Sequence, residues 1–182
     1  DTLSVSDVKQ LLGNDTYPVT IDLSSPRFNI QTDQFCTNCG NVVKELYLDN
    51  NSIVENQNMA QFTKLQILVL DSNKLTCLSL NGLCSLVHLS ASHNAIKSIV
   101  GMESAKRLIF LNLSDNKIDE LTNDWSMVRR LRVLDLSNNP LYASAGSTVL
   151  QKVERMIKKM AATVKELEYL SLYGTPNVSQ EL

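Results

Sequence analysis

Four cysteines and two histidines are the side chains of this 182-residue chain whose types and spacing could do chemistry. Cys36-Thr37-Asn38-Cys39 has the gap of a zinc-ligand or redox pair, and Cys77 with Cys84 would complete four ligands on paper. His88 and His93 lie near Ser90 and Ser92, the raw material of a hydrolytic triad. A triad also needs a carboxylate holding the imidazole beside an activated nucleophile, and no nucleophile elbow, glycine-rich phosphate loop or paired-carboxylate signature accompanies these residues. The expectation is no catalytic residue and no cofactor, with the histidines serving in a partner surface. For the cysteines the repeat spacing described next decides. The two pairs fall two units apart, about 10 Å for strands ~4.8 Å apart, too far to share one ion through ~2.3 Å bonds. No metal is therefore expected, and the cysteines are read as buried free thiols acting as small apolar residues. A Cys36–Cys39 disulfide or a reactive thiol is the alternative.

The elements that would position these residues are written in a recurring phrase. In Val43-Lys44-Glu45-Leu46-Tyr47-Leu48-Asp49-Asn50-Asn51-Ser52-Ile53 the skeleton is apolar, two free, apolar, one free, apolar, two free, Asn, one free, apolar. It returns as Leu65/Leu68/Leu70/Asn73/Leu75, Leu86/Leu89/Ala91/Asn94/Ile96, Leu108/Leu111/Leu113/Asn116/Ile118 and Leu131/Leu134/Leu136/Asn139/Leu141. The starting positions 43, 65, 86, 108 and 131 are 22, 21, 22 and 23 apart, within the period of leucine-rich repeats. Each unit should give a short strand whose two close-set apolar residues point inward, then a turn at the Asn. A second apolar series follows: Met59/Phe62, Leu78/Leu83, Ile99/Met102 and Leu121/Trp125/Val128. Its spacings suit a helical or 3-10 return on the outer side. The series Asn51, Asn73, Asn94, Asn116 and Asn139 is read as a structural ladder, because a buried amide offers one acceptor and two donors to the backbone of a tight bend.

Stacking such units makes an α/β, right-handed leucine-rich repeat solenoid with a curved parallel β-sheet on the concave face and short helices or 3-10 turns on the convex face. Helical caps are expected at both ends. Residues 4–12 read as a helix capped by Ser4 or Ser6 and stopped by Gly13. Val19 to Leu23 then alternates like a strand, and Ile21, Leu23 and Phe28 keep the register of a degenerate first repeat in which Pro26 replaces the Asn. After Asn139-Pro140 the next strand pattern, Leu167/Leu170/Leu172, starts 36 residues beyond Leu131. The extra length holds an amphipathic helix, about 148–165. Thr148 and Gln151 are spaced as a capping box, Val149, Leu150, Val153, Met156, Ile157, Met160 and Val164 form one face, and Lys152, Arg155, Lys158 and Lys159 lie opposite. The organisation is one domain: a cap with the degenerate repeat (1–42), five regular repeats (43–141), and a capping helix with the last strand (142–182).

What the skeleton leaves free should carry the function. The third and fifth positions of each unit face away from the core by strand alternation. They predict an exposed apolar stripe of Tyr47, Ile67, Val69, Phe110, Val133 and Tyr169, with Tyr47, Phe110, Tyr169 and Tyr173 as aromatic anchors. His88 and Asn112 belong to the same face, flanked by negative charge from Asp22, Glu45, Asp49, Asp71, Asp115 and Asp135. A net charge of −2 gives no overall pull toward nucleic acid. The distribution is uneven, with three basic and eight acidic side chains in residues 1–60 against eight basic and two acidic in 129–165. Arg129, Arg130, Lys152, Arg155, Lys158 and Lys159 form a second candidate set, a solvated face that could instead meet RNA or an acidic tail. Without interleaved aromatics it is a weak signature for RNA.

Across nearly its whole length the chain resembles intracellular leucine-rich repeat proteins of the 22-residue type, named for the regulatory subunit of a nuclear protein phosphatase. The ending Leu167-Glu168-Tyr169-Leu170-Ser171-Leu172-Tyr173-Gly174-Thr175-Pro176 is similar to the closing cap of that group, with Tyr173 where the group usually has Asp. Cousins are the leucine-rich light chain of axonemal dynein, the leucine-rich spliceosomal subunit and the acidic nuclear phosphoproteins. The resemblance implies a non-catalytic scaffold that binds another protein, as a helix or peptide, on its concave face. The alternative is an adaptor in a nucleoprotein or cytoskeletal complex using the basic C-terminal helix. Sparse cysteines point to an intracellular setting over secretion, although sequons at Asn14, Asn50, Asn112 and Asn177 pull the other way. No apolar run approaches a membrane span, and a chain opening at Asp1 reads as a trimmed or mature fragment.

Overall fold

A computed structural model describes residues 19–24 and 40–176. The predicted N-terminal helix, Pro26, Phe28, Cys36 and Cys39 lie outside the described residues. Each repeat contributes one short strand to a seven-stranded parallel sheet in the order β1-β2-β3-β5-β7-β8-β9. These are β1 (Val19–Asp22), β2 (Val43–Tyr47), β3 (Ile67–Val69), β5 (His88–Ser90), β7 (Phe110–Asn112), β8 (Val133–Asp135) and β9 (Tyr169–Ser171). The registers run without slip from β2 onward, Leu46 beside Leu68, then Leu89, Leu111, Leu134 and Leu170. The chain is a parallel β-solenoid with one α-helix among the described residues.

Every apolar skeleton position of the five repeats is buried, none more than 5% exposed. One contiguous core thus runs along the stack, continued into the degenerate repeat by Ile21 and Leu23. Hydrogen bonding between repeats continues past the strands. The amides of Leu48, Leu70, Ala91, Leu113 and Leu136 donate to the next repeat's carbonyls at 2.7–3.0 Å. Two residues later comes a left-handed residue in every unit: Asn50, Ser72, His93, Asp115 and Asn138, with φ between 52° and 57°. That conformation swings the ladder Asn inward, and three of the five belong to the residue types that tolerate it best without being glycine by a local hydrogen bond, Asn and Asp.

The asparagine ladder is formed. Asn116 Nδ2 donates to the carbonyls of Leu113 and Ser114 in its own turn and of Ala91 in the turn before, while its Oδ1 accepts from Ile96 N–H. Asn73, Asn94 and Asn139 repeat this set, and Asn51 donates back to Leu23.

The convex side departs from expectation. Return turns of 3-10 type are present at Gln57–Gln61, Met102–Ser104 and Trp125–Met127. Leu78 and Ile99, expected in such returns, instead lie in strands β4 (Cys77–Ser79) and β6 (Ser98–Val100), which pair in parallel as a second sheet. The pair goes no further because side-chain amides cover its outer edges. Asn56 bonds both the N–H and the carbonyl of Ser79, and Asn123 donates to the Ile99 carbonyl. A side chain that imitates a peptide group ends a sheet without leaving backbone groups unpaired.

The helix after the fifth repeat, α1 (Val149–Thr163), packs Val149, Val153, Met156 and Met160 inward, with Val164 at its C-terminal end. Two expectations fail there. The capping box does not form, since Thr148 Oγ1 donates back to the Ala145 carbonyl and leaves the first turn uncapped by its side chain. Leu150 and Ile157 are 37% and 39% exposed, at the margin of a buried stripe formed by Val149, Val153, Met156 and Met160.

Candidate functional site

The register turns the free positions of the sheet face into columns that run across the strands. The third positions align as Thr20, Glu45, Ile67, His88, Phe110, Val133 and Tyr169. The fifth positions align as Asp22, Tyr47, Val69, Ser90, Asn112, Asp135 and Ser171. The predicted single apolar stripe is therefore two features. Ile67, His88, Phe110, Val133 and Tyr169 make one unbroken column, while Tyr47 and Val69 lie in the second column beside Ile67. A column of five neighbours ~4.8 Å apart is about 19 Å long.

His88 is the residue that closes the first column. Its ring stacks face to face on Phe110, with centroids 4.2 Å apart and planes 1° from parallel. Both are half-buried. Desolvation holds the imidazole below the usual histidine range, opposed by the charge of Asp71, so the ring is neutral at neutral pH and serves as an aromatic plate. Tyr169, at the end of the column, is 54% exposed, and Tyr173, just past β9, is 79% exposed. Charge played no part in recognising His88 from the sequence. Its position between two apolar residues of the same column was the available signal.

The predicted acidic flank is present but largely engaged within the chain. Asp71 accepts from Ser90 Oγ at 2.7 Å and Ser92 N at 2.6 Å, a clasp between adjacent repeats. Asp135 accepts from the N–H and hydroxyl of Ser137, and Asn112 accepts from Ser114 N, turns of Asx type that shape the strand exits. Asp22 does the same with Ser24, whose hydroxyl and N–H hold its carboxyl below the usual range. Glu45 accepts from Thr20, Asp49 from Asn50 and Asp115 from Asn138. Each of these carboxylates therefore has a structural duty within the chain. Asn112 and Asp135 are thus turn-formers at least as much as contact residues.

His93 lies at the strand exits with its Nε2 3.7 Å from Asp115, and among the described residues neither histidine has a serine hydroxyl as a hydrogen-bond partner. Cys77 is half-buried and Cys84 exposed, so the expectation of buried thiols fails for this pair: Cys77 stands on the convex strand β4 and Cys84 in the turn after it. Among the described residues no group of three or more His, Cys, Asp or Glu could hold a metal ion, and no helix is long and apolar enough to cross a membrane.

The basic set is divided by the cap helix. Lys152, Arg155 and Lys159 border a pocket between α1 and the return of the fourth repeat, and Arg129 borders a second hollow with Lys165. Arg130 and Lys158 are exposed and border neither. Sequence reasoning missed Asn56 and Asn123, whose signal was no more than an Asn beside an apolar residue, and the Trp125 pocket, which only the packing of α1 creates.

Comparison with known proteins agrees with this architecture. The Leucine Rich Repeat family matches residues 130–151. A probable inactive serine/threonine-protein kinase of Dictyostelium discoideum is 32% identical over 167 residues, 91% of this chain, and the chain spans 8% of that protein's length. Among solved structures, a leucine-rich repeat protein of Leptospira interrogans superposes with a TM-score of 0.68 at 29% identity, covering 86% of this chain and 37% of that one. An internalin from Listeria monocytogenes gives a TM-score of 0.66 at 21% identity, covering 86% and 42%. The second of these likenesses speaks to the fold alone.

Proposed function

We propose that this leucine-rich repeat solenoid is a non-catalytic protein-interaction module that takes a helix or peptide of another protein across its concave strands. The fold is typical of such modules. The observation that carries the reading is the unbroken column of Ile67, His88, Phe110, Val133 and Tyr169, aligned by strand register and partly exposed throughout. An isolated exposed apolar side chain is ordinary, whereas a contiguous row rimmed by polar groups marks a contact surface. Rigid aromatics lose little conformational entropy on binding and concentrate the affinity. The carboxylates of Glu45, Asp49 and Asp71 on the first strands favour a partner that is apolar along most of its contact and basic at one end.

The subclass of 22-residue phosphatase-regulator relatives and an intracellular site of action are part of this proposal. Cys77 and Cys84 are free thiols, in keeping with a reducing compartment. The test is capture of binding proteins from the native extract by the wild-type chain and by a Tyr47→Ala/Phe110→Ala variant. The variant should keep its circular dichroism spectrum and lose its partners, and undiminished capture would sink the concave-face reading.

A second reading, an adaptor acting through the basic cap helix, rests on the exposure of Arg155, Lys158 and Lys159. It requires retention of RNA or of acidic tails at low salt that disappears on charge reversal of Arg155 and Lys159.

A further inference from the structure

The pocket between α1 and the return of the fourth repeat lies away from the concave face, and its floor is the edge of the core. It measures about 220 Å³. Its floor is apolar, made by Leu121, Trp125, Met156 and Met160, each at most 8% exposed. Its rim is cationic: Lys152, Arg155 and Lys159 follow one another at the i, i+3 and i+7 positions of α1 and are all exposed. No salt bridge among the described residues engages any of the three. Lys152 Nζ stands 5.7 Å above the Tyr142 ring, which fixes the ammonium at the mouth of the pocket.

Charges of opposite sign are also close and bear on what can enter. Glu120 borders the pocket, and burial, reinforced by the charges of Glu120 and Asp119, pushes the Tyr142 phenol up from its ordinary value. Asp124, held low mainly by Ser126, also feels the charge of Lys159. Three carboxylates, Asp119, Glu120 and Asp124, thus share this corner with three cations, and of the carboxylates only Glu120 lines the pocket beside Lys152, Arg155 and Lys159. Trp125 adds a buried indole N–H with no hydrogen-bond partner among the described residues. An indole donor stripped of water and unpaired is uncommon, and aromatic N–H groups usually find a partner when buried.

We propose that this pocket is a binding site for an aryl phosphate, with the ring seated on Leu121, Trp125, Met156 and Met160 and the phosphate held by Arg155, Lys159 and Lys152. The size selects the ring. A cavity of about 150 Å³ accommodates benzene, so this one has space for a single aromatic ring and a charged head, and it falls short of the ~300 Å³ at which sites for larger small molecules begin. The chemistry selects the head group. A phosphate monoester carries up to two negative charges and three acceptor oxygens, matching a guanidinium fork and two ammonium groups better than a carboxylate does. The site is independent of the concave face, so it stands or falls separately from the interaction module described above.

Trp125 is the sole tryptophan of the chain, and its fluorescence reports occupancy directly. Phenyl phosphate titrated into the full chain should perturb that fluorescence saturably, and the affinity should fall as salt is raised. Phenol and inorganic phosphate should each bind at least about tenfold more weakly, since each keeps only half of the recognition. An Arg155→Glu/Lys159→Glu variant, altered only at exposed side chains, should lose the response, while the Tyr47→Ala/Phe110→Ala variant should keep it. A phosphotyrosine peptide that binds more tightly than phenyl phosphate would identify the source as a protein side chain, and equal affinity would identify a free metabolite. Binding of phenol equal to that of phenyl phosphate, an unchanged response in the charge-reversed variant, or binding of single-stranded RNA without any response to phenyl phosphate would each overturn the proposal.

Discussion

Replacement of Asn116 by Ala should remove one of the polar ties that join successive repeats. The side chain is 6% exposed and its Nδ2 contacts three carbonyls, Ala91 at 2.9 Å and Leu113 and Ser114 at 3.1 Å each. Its Oδ1 accepts from Ile96 N–H at 2.9 Å. Two N–H hydrogens serve three acceptors, so three full bonds are a fair count. At about 1 kcal/mol net for each, with the Ile96 amide left buried and unpaired, the expected loss is about 3–4 kcal/mol. That is a large part of a domain stability of roughly 5–15 kcal/mol, so the variant should fold but unfold at markedly lower denaturant. Asn94 makes the same contacts and is only half-buried, so water can replace part of what Ala removes and Asn94→Ala should cost less. Asn116→Asp keeps the acceptor for Ile96 and loses the donors, and at neutral pH it should destabilise at least as much as Ala. Urea unfolding followed by both Trp125 fluorescence and far-UV circular dichroism measures these differences. The two probes must coincide, because repeat arrays can melt in sections. A loss below about 1 kcal/mol for Asn116→Ala, or a larger loss for Asn94→Ala, would refute the ladder as an energetic element.

Three further outcomes follow from the geometry. Gly82 has φ +74° and a Cβ there would meet the Ala60 carbonyl oxygen at 2.3 Å, whereas Gly146, at φ +59° and ψ −131°, has nothing within 4 Å; Gly82→Ala should therefore lower the melting temperature well beyond Gly146→Ala, for which only backbone strain of about 1–3 kcal/mol applies. His88 has a depressed folded-state pKa, so its contribution to stability is complete above the ordinary value of 6.5 and declines as pH falls from there toward the folded value; His88→Phe, which keeps the stack on Phe110, should flatten thermal stability across that acidic window. Thr175 occupies the ladder position of the turn after β9, fully buried, with its hydroxyl unpaired among the described residues; Thr175→Asn should extend the ladder and raise stability by about 1 kcal/mol in urea unfolding, and a decrease would mean that this turn lacks the space of the others.

How far the chain is legible without coordinates depends on whether the governing contact repeats. Leu46, Leu68, Leu89, Leu111 and Leu134 face the same environment, so periodicity names their role, and the Asn series is legible for the same reason. Leu78 and Ile99 are not, because their returns could close as a 3-10 turn or as a short strand. The choice between them rests on Asn56 and Asn123 supplying the missing edge bonds from neighbouring turns. Leu150 and Ile157 share a helical face with buried residues, yet how much of that face is covered depends on what packs beneath it. On the concave side the division of the free positions into two columns needs the strand register, and Ser90, free by its spacing, is buried by its bond to Asp71. Likewise the hydrogen bonds of Asp71 and Asp135 tie down charges that look free on paper.

The constant pitch of the sheet limits what can lie along the apolar column. Lengths of 22, 21, 22 and 23 residues show that variation is absorbed in the return arcs, while strand, left-handed residue and Asn keep fixed spacing. A straight α-helix advances about 5.4 Å per turn and the strands about 4.8 Å, so a helix laid across them slips by roughly 0.6 Å at each strand. After four or five strands the slip reaches about half a turn, and side chains that began over ridges end over grooves. The column therefore works as a vernier: from Ile67 to Val133 it is about as long as one unbent helix can follow, and a longer partner must bend, unwind or let go at Tyr169.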